Sequence, residues 1–185
     1  MKLIELVQIV PEHLYAVRYE GNEQNEYDRI FDSWDDIEYL DQFFTYNADD
    51  LLTPFYDFCT IEEAVSKTLI EASKFDDRLF KAASNGQFSV EMADIFKPLV
   101  QSIKRGGKWE ESKAYGPERK SWLRLYAIRT SYDVYVVTGG AIKLTRKMED
   151  REHTRIELKK LNVVAQFLRN NGFETHDDFV YLDFK

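Results

Sequence analysis

The stretch TGGAIKLTRK, Thr138–Lys147, decides how the second half of the chain is read. A phosphate-cradling loop needs glycines between a strand and a helix N-terminus, where free backbone N–H groups converge on the anion. Gly139-Gly140 are followed instead by Ala141-Ile142-Lys143-Leu144-Thr145, which alternates apolar with polar like more strand. The pattern therefore predicts a bulge or bend inside a strand rather than a cradle. Beyond it, Ile142 and Leu144 point inward, while Lys143 and Thr145 point outward.

Upstream, Ser121–Arg129 and Asp133–Thr138 alternate around the turn-like Thr130-Ser131-Tyr132 and read as an antiparallel pair. Strand alternation puts Leu123, Leu125 and Ala127 on a core face, and Lys120, Trp122, Arg124, Tyr126 and Ile128 on the other. That second face mixes cations with aromatic rings, a combination that binds nucleic-acid backbone and stacks unpaired bases. A half-solvated face with snorkelling side chains has the same pattern.

The rest of the chain supplies a frame. Leu3–Val10 and Leu14–Tyr19 read as a hairpin. Apolar residues from Tyr27 to Phe44 recur every three or four positions, predicting one amphipathic helix from Asn25 to about Tyr46. Thr60 and Glu63 have capping-box spacing and open a second helix that Asn85-Gly86 closes. Ser89–Phe96 reads as a short helix, and IKRGGKWEESKAYGPERK as an exposed loop. Thr154 and Glu157 repeat the capping-box spacing before a third helix that ends at Asn171-Gly172, and the tail reads as a short strand. No internal repeat or linker divides the chain, which predicts one domain over residues 1–185.

Charge is polarised along this frame. The net charge is −8, yet residues 101–160 hold fifteen Lys and Arg against eight Asp and Glu, whereas residues 1–100 hold eight against twenty-one. Such asymmetry fits an anion-binding face, and equally fits helix surfaces that differ in sign. The single cysteine, Cys59, excludes an internal disulfide, and the three histidines lack metal-ligand spacing. The N-terminal apolar run is too short and polar for a signal peptide or membrane span, so the expected compartment is the cytoplasm, with no metal and no cofactor.

Five features in order carry a resemblance: FKPL, Phe96–Leu99; the arginine-bearing strand WLRLYAIR; VYVVTGG; the lysine of AIK; and LTRKMEDREHTRIELKKL leading into a helix. Over residues 95–170 the chain resembles the RelE/HigB-like toxins of toxin–antitoxin modules. The resemblance implies an α+β fold with helices packed on one face of an antiparallel sheet and an RNA-binding face left open. Residues 1–94 would be an acidic hairpin-plus-helices extension, and residues 171–185 a C-terminal tail. It further implies a metal-free, ribosome-dependent mRNA endoribonuclease partnered by a helix-turn-helix antitoxin. Matched by position, Arg124, Lys143, Arg146 and Lys147 correspond to the family's basic residues.

Metal-free cleavage activates a ribose 2′-hydroxyl, stabilises the charge that builds on phosphorus, and protonates the departing 5′-oxygen. The expected catalytic set is Arg124 and Arg146 as charge stabilisers, Lys143 as acceptor of the 2′-proton, and Tyr126 as a base-stacking group. Lys120, Trp122, Arg129, Lys147 and His153 complete the expected RNA-binding set, His153 doubling as a candidate acid. Members of the family are smaller and basic, so the acidic first half leaves a second reading open: a non-catalytic protein- or RNA-binding module on the same fold.

Overall fold

The computed structural model describes residues 2–84, 92–99, 109–130 and 134–180. Strands β1 (Leu3–Val10) and β2 (Leu14–Tyr19) form the expected hairpin, with Glu12 in the left-handed region at its turn. Strands β3 (Phe96–Pro98), β4 (Trp109–Tyr115), β5 (Leu123–Thr130) and β6 (Tyr135–Ile142) follow. All six join one sheet in the order β1-β2-β6-β5-β4-β3. Every pairing is antiparallel except β2 with β6, which run parallel with Leu14 opposite Tyr135. The hairpin is thus built into the same sheet as the strands that follow.

Among the described residues, seven α-helices complete the α+β fold: α1 (Glu26–Asp35), α2 (Ile37–Tyr46), α3 (Ala48–Leu51), α4 (Ile61–Ser84), α5 (Met92–Ile95), α6 (Glu152–Asn171) and α7 (His176–Val180). The segment expected as one helix is two, because Asp36 leaves helical geometry and its carboxylate accepts from the N–H groups of Glu38 and Tyr39, capping α2. The Thr60–Glu63 capping box forms in both directions, at 2.8 and 3.2 Å. The Thr154–Glu157 box does not. Helix α6 starts earlier, Thr154 Oγ1 donates to the Met148 and Arg151 carbonyls, and Glu157 is drawn into the interior. Gly172 closes α6 at φ 70°, as the Asn-Gly signal predicts. Within the tail, His176–Val180 forms α7; residues 181–185, where the expected strand would continue, lie outside the described residues. The Asn85-Gly86 stop and residues 89–91 lie outside the described residues.

Helices cover both faces of the sheet, not one. On the first face Leu123, Leu125 and Ala127 pack with Trp34, Phe44 and Phe75 of α1, α2 and α4. On the second, Tyr126, Ile128 and Val136 pack with Leu161, Val164 and Leu168 of α6 and with Phe179 of α7. The expected open face carries too much apolar surface to stay wet, and the stripe of α6 closes over it.

The glycine pair lies within β6, which runs through to Ile142. Tyr126 faces Gly139 and Ala127 faces Val137, so Thr138 is the extra residue of a bulge one position before the glycines. Neither glycine has a positive φ. What both require is close approach. A Cβ on Gly139 would overlap the Glu157 carboxylate and lie 3.0 Å from Lys160 Cδ, while one on Gly140 would lie 2.9 Å from the Arg124 carbonyl oxygen and 3.0 Å from Ile30 of α1. Pairing of β2 with β6 ends at Ala16–Val137, and beyond it the two helical layers meet beside the strand. There Lys160 Nζ donates to Glu26 Oε2 at 2.7 Å and to Glu157 Oε1 at 2.8 Å, and Arg29 forks onto Glu26.

Candidate nucleic-acid interface

A cleft of about 1020 Å³ opens where the ends of β4, β5 and β6 meet the loop after β6 and the short 3₁₀ turn Pro54–Tyr56. Its cations come from different strands. Tyr126 sits opposite Lys113 and Arg124 opposite Tyr115, so β4 and β5 together present Lys113, Tyr115, Arg124 and Tyr126 to one space. Both hydrogens of Arg124 Nη1 go to the Ser121 and Leu123 carbonyls, at 2.8 and 2.7 Å, and the guanidinium lies 4.1 Å from the Tyr115 ring centre. Its remaining N–H groups make no hydrogen bond among the described residues.

Lys143 follows the end of β6, and its N–H donates to the Trp122 carbonyl at 2.8 Å, which extends the strand pairing by one step. Its ammonium donates to the Thr145 and Arg146 carbonyls, both at 2.6 Å, so the loop curls round the charge. Burial lowers the Lys143 pKa, Arg124 and Lys113 push it the same way, and Asp150 and Glu149 oppose them. The shift runs in the direction that proton acceptance needs, while the two bonded carbonyls hold two of the ammonium's three N–H groups. Burial raises the Tyr126 pKa, and its buried hydroxyl has no hydrogen-bond partner among the described residues.

None of Lys113, Arg124 and Lys143 makes an ion pair among the described residues. The carboxylates stand on the opposite wall, where Asp49, Asp50, Glu149 and Asp150 line the cleft. Two of these four are engaged: Asp50 takes a two-pronged pair from Arg151 at 2.6 and 2.7 Å, and Asp150 accepts from the Lys147 N–H at 2.9 Å. No group of three His, Cys, Asp or Glu side chains among the described residues is arranged to hold a metal ion.

The cleft gathers Arg124, Tyr126, Lys143, Arg146 and Lys120 from the expected set. Tyr126, at 1% exposure, has no ring face open to a base. Lys120 stands at the rim with a left-handed backbone, 3.0 Å from the Asp57 carboxylate. Four other residues fall elsewhere. Trp122 is fully buried on the first face, donating to Thr68 Oγ1 at 2.9 Å and packed against Phe44 and Tyr56. Strand β5 begins only at Leu123, so Trp122 precedes the alternation and packs on the same face as Leu123, opposite Arg124. Arg129 is at the far end of β5, 3.8 Å from Glu110. Lys147 is exposed outside the cleft. His153 lies in the first turn of α6 with Nε2 2.9 Å from the Ile142 carbonyl oxygen and its ring edge-on to Phe43, beside the Glu26–Lys160 cluster.

Several site residues escape the sequence reading. Lys113 and Tyr115 belong to a segment expected to be loop, and only the period-two spacing of Lys-Ala-Tyr marks them. Tyr56 sends its hydroxyl to the Leu144 carbonyl at 3.1 Å, bracing the Lys143 loop from the acidic half of the chain. Glu71 is fully buried in α4 and accepts from the Glu118 N–H at 3.3 Å, holding the turn that delivers the Ser121 carbonyl to Arg124. Burial raises its pKa against the opposing hydrogen bond of Ser121. Gly116 serves the same turn, since a Cβ there would overlap the Ser121 and Glu71 oxygens. No helix among the described residues is long and apolar enough to cross a membrane. No family model matches the chain, and no curated protein or solved structure matches it.

Proposed function

We propose that the cleft binds the phosphodiester backbone of RNA, and that the protein is a RelE/HigB-like toxin: a cytoplasmic, ribosome-dependent mRNA endoribonuclease held in check by a helix-turn-helix antitoxin. The observation that carries this reading is the convergence of Lys113, Arg124 and Lys143, with no ion-paired carboxylate among the described residues, in a chain of net charge −8. Like charges brought together and partly desolvated are unfavourable until an anion joins them. A phosphodiester supplies that anion, with non-bridging oxygens matched to the free N–H groups of Arg124 and the third N–H of Lys143.

In the reaction, the 2′-hydroxyl gives up its proton to solvent as its oxygen attacks the adjacent phosphorus, the bond to the 5′-oxygen breaks, that oxygen takes a proton from solvent, and a 2′,3′-cyclic phosphate and a 5′-hydroxyl result. Arg124 and Lys143 donate to the oxygens on which charge builds. The two carbonyls that hold the Lys143 ammonium favour one alternative, a binding module on the same cleft that breaks no bond.

Inducible expression with growth and transcript 5′ ends followed together tests the reading. Growth arrest with new cuts inside translated messages is expected, and Arg124→Ala should lower cleavage a hundredfold or more. Normal growth and intact transcripts at high levels of folded protein would leave only the binding module.

A further inference from the structure

The cleft has a feature that phosphate binding does not use. Phe55 lines it with 61% of its surface exposed, although burying a side chain of this size is worth about 2–3 kcal/mol. The chain holds it there deliberately. Pro54 opens the 3₁₀ turn, and Asp57 and Phe58 close it with consecutive left-handed backbones, at φ 58° and 55°, each strained for a non-glycine residue. Its neighbour Tyr56 is buried and packs edge-on against it at 4.8 Å, and the Tyr56 hydroxyl is tied to the Leu144 carbonyl beside Lys143. Lys120 Nζ lies 5.6 Å from the Phe55 ring centre and is itself anchored on Asp57. An aromatic ring is thus fixed in position relative to the cations while remaining open to solvent.

We propose that Phe55 is a stacking platform for an unpaired base, so that the cleft takes single-stranded RNA with one base on Phe55 beside Lys120 and the adjoining phosphate on Arg124 and Lys143. This rests on the phosphodiester reading of the cleft and goes beyond it. It assigns base contact to the acidic first half of the chain and takes that role from Tyr126 and Trp122, which are buried. A base flanked by a ring and a cation gains both stacking and charge–π attraction, and a duplex, whose bases are already stacked, offers no free face.

Two labelled probes separate the outcomes: a short single-stranded RNA, and an abasic ribose-phosphate oligomer of equal length that keeps every phosphate. Phe55→Ala should weaken RNA binding about five- to 150-fold and leave abasic binding unchanged, with Phe55→Trp restoring RNA affinity. Equal loss for both probes would mean that Phe55 only shapes the cleft, and no loss for either would mean that the ring faces another partner; both results overturn the stacking role alone. Failure of the wild-type protein to bind either probe overturns the phosphodiester reading and this inference with it. Phe55 is exposed, so its substitution should leave the fold intact.

Discussion

Replacing Gly139 by alanine sets two physical effects against each other, and the structure says which should win. Glycine within a strand at an ordinary φ leaves the unfolded chain too free, so alanine there normally stabilises by about 0.4–1 kcal/mol. Here the added methyl would occupy the position of the Glu157 carboxylate and press within 3.0 Å of Lys160 Cδ. Glu157 and Lys160 are 4% and 7% exposed, and Glu26, which shares the ammonium, is 1% exposed. Above about pH 7, where the Glu157 carboxyl is ionised, moving it aside breaks a buried ion pair, a loss of about 3–5 kcal/mol, which exceeds the entropic gain several times over. The net is a destabilisation of about 3 kcal/mol, or a fall in melting temperature of about 6–12 °C for a chain of this length. Thermal and urea melts of Gly139→Ala measure it. The same substitution in a Glu157→Ala background should cost under about 1 kcal/mol, because the overlapping group is gone. Melting of Gly139→Ala at or above the wild-type temperature would refute the close-approach explanation of this glycine.

Burial pushes the Glu157 carboxyl up to about 7 against the pull of Lys160, so the folded state holds a proton that the unfolded chain releases near pH 4.5. The Glu157 contribution to stability is therefore present below about pH 4.5 and lost as pH rises through about 7. Glu26 is shifted the other way: burial raises it, but the Arg29 hydrogen bond and Lys160 outweigh that and hold it low, so it titrates below this window. The stability of wild type minus that of Glu157→Gln should fall by about 3 kcal/mol between pH 4 and 8, and a flat difference would count against the buried-carboxyl account. Trp122→Ala should lose about 3–5 kcal/mol of stability as a core truncation. Trp122→Phe should melt slightly lower and bind RNA unchanged, whereas weakened binding with an unaltered melt would return the indole to the interface.

Signals that act over one or two turns were legible. The hairpin ends, the Thr60–Glu63 box and the Asn171-Gly172 stop each rest on neighbours in sequence, and each formed where those neighbours placed it. The break at Asp36 was hidden because the apolar spacing continues across it, so the stripe survives while the helix does not. Strand β4 was hidden by its chemistry: the positions it buries are Glu110, Ser112 and Ala114, which give no hydrophobic alternation to read. The glycine pair was assigned a local cause, a bend, when the requirement comes from a carboxylate eighteen residues downstream and a helix more than a hundred residues upstream. In the cleft, the strand arginine and the lysine after the glycines were legible as charges. The aromatic partners were not, because burial of Tyr126 and Trp122 and exposure of Phe55 depend on layers that meet only in the folded chain.

The parallel pairing of β2 with β6 also sets an order of events during synthesis. Leu14 lies opposite Tyr135, so the second strand to be made finds its neighbour about 120 residues later. At roughly 5–20 residues per second, translation leaves an interval of about 6–24 s in which the β2 edge has no partner strand. Contacts so distant in sequence are slow to form, and an unpaired apolar edge invites association with other nascent chains in the meantime. The central position of β6 makes it the strand whose arrival joins the early hairpin to β5 and, through it, to β4 and β3. A chain stopped just before Tyr135 would therefore lack the strand that joins its first hairpin to β5, and full-length protein should gain most of its resistance to proteolysis within the span from Tyr135 to the end of α6.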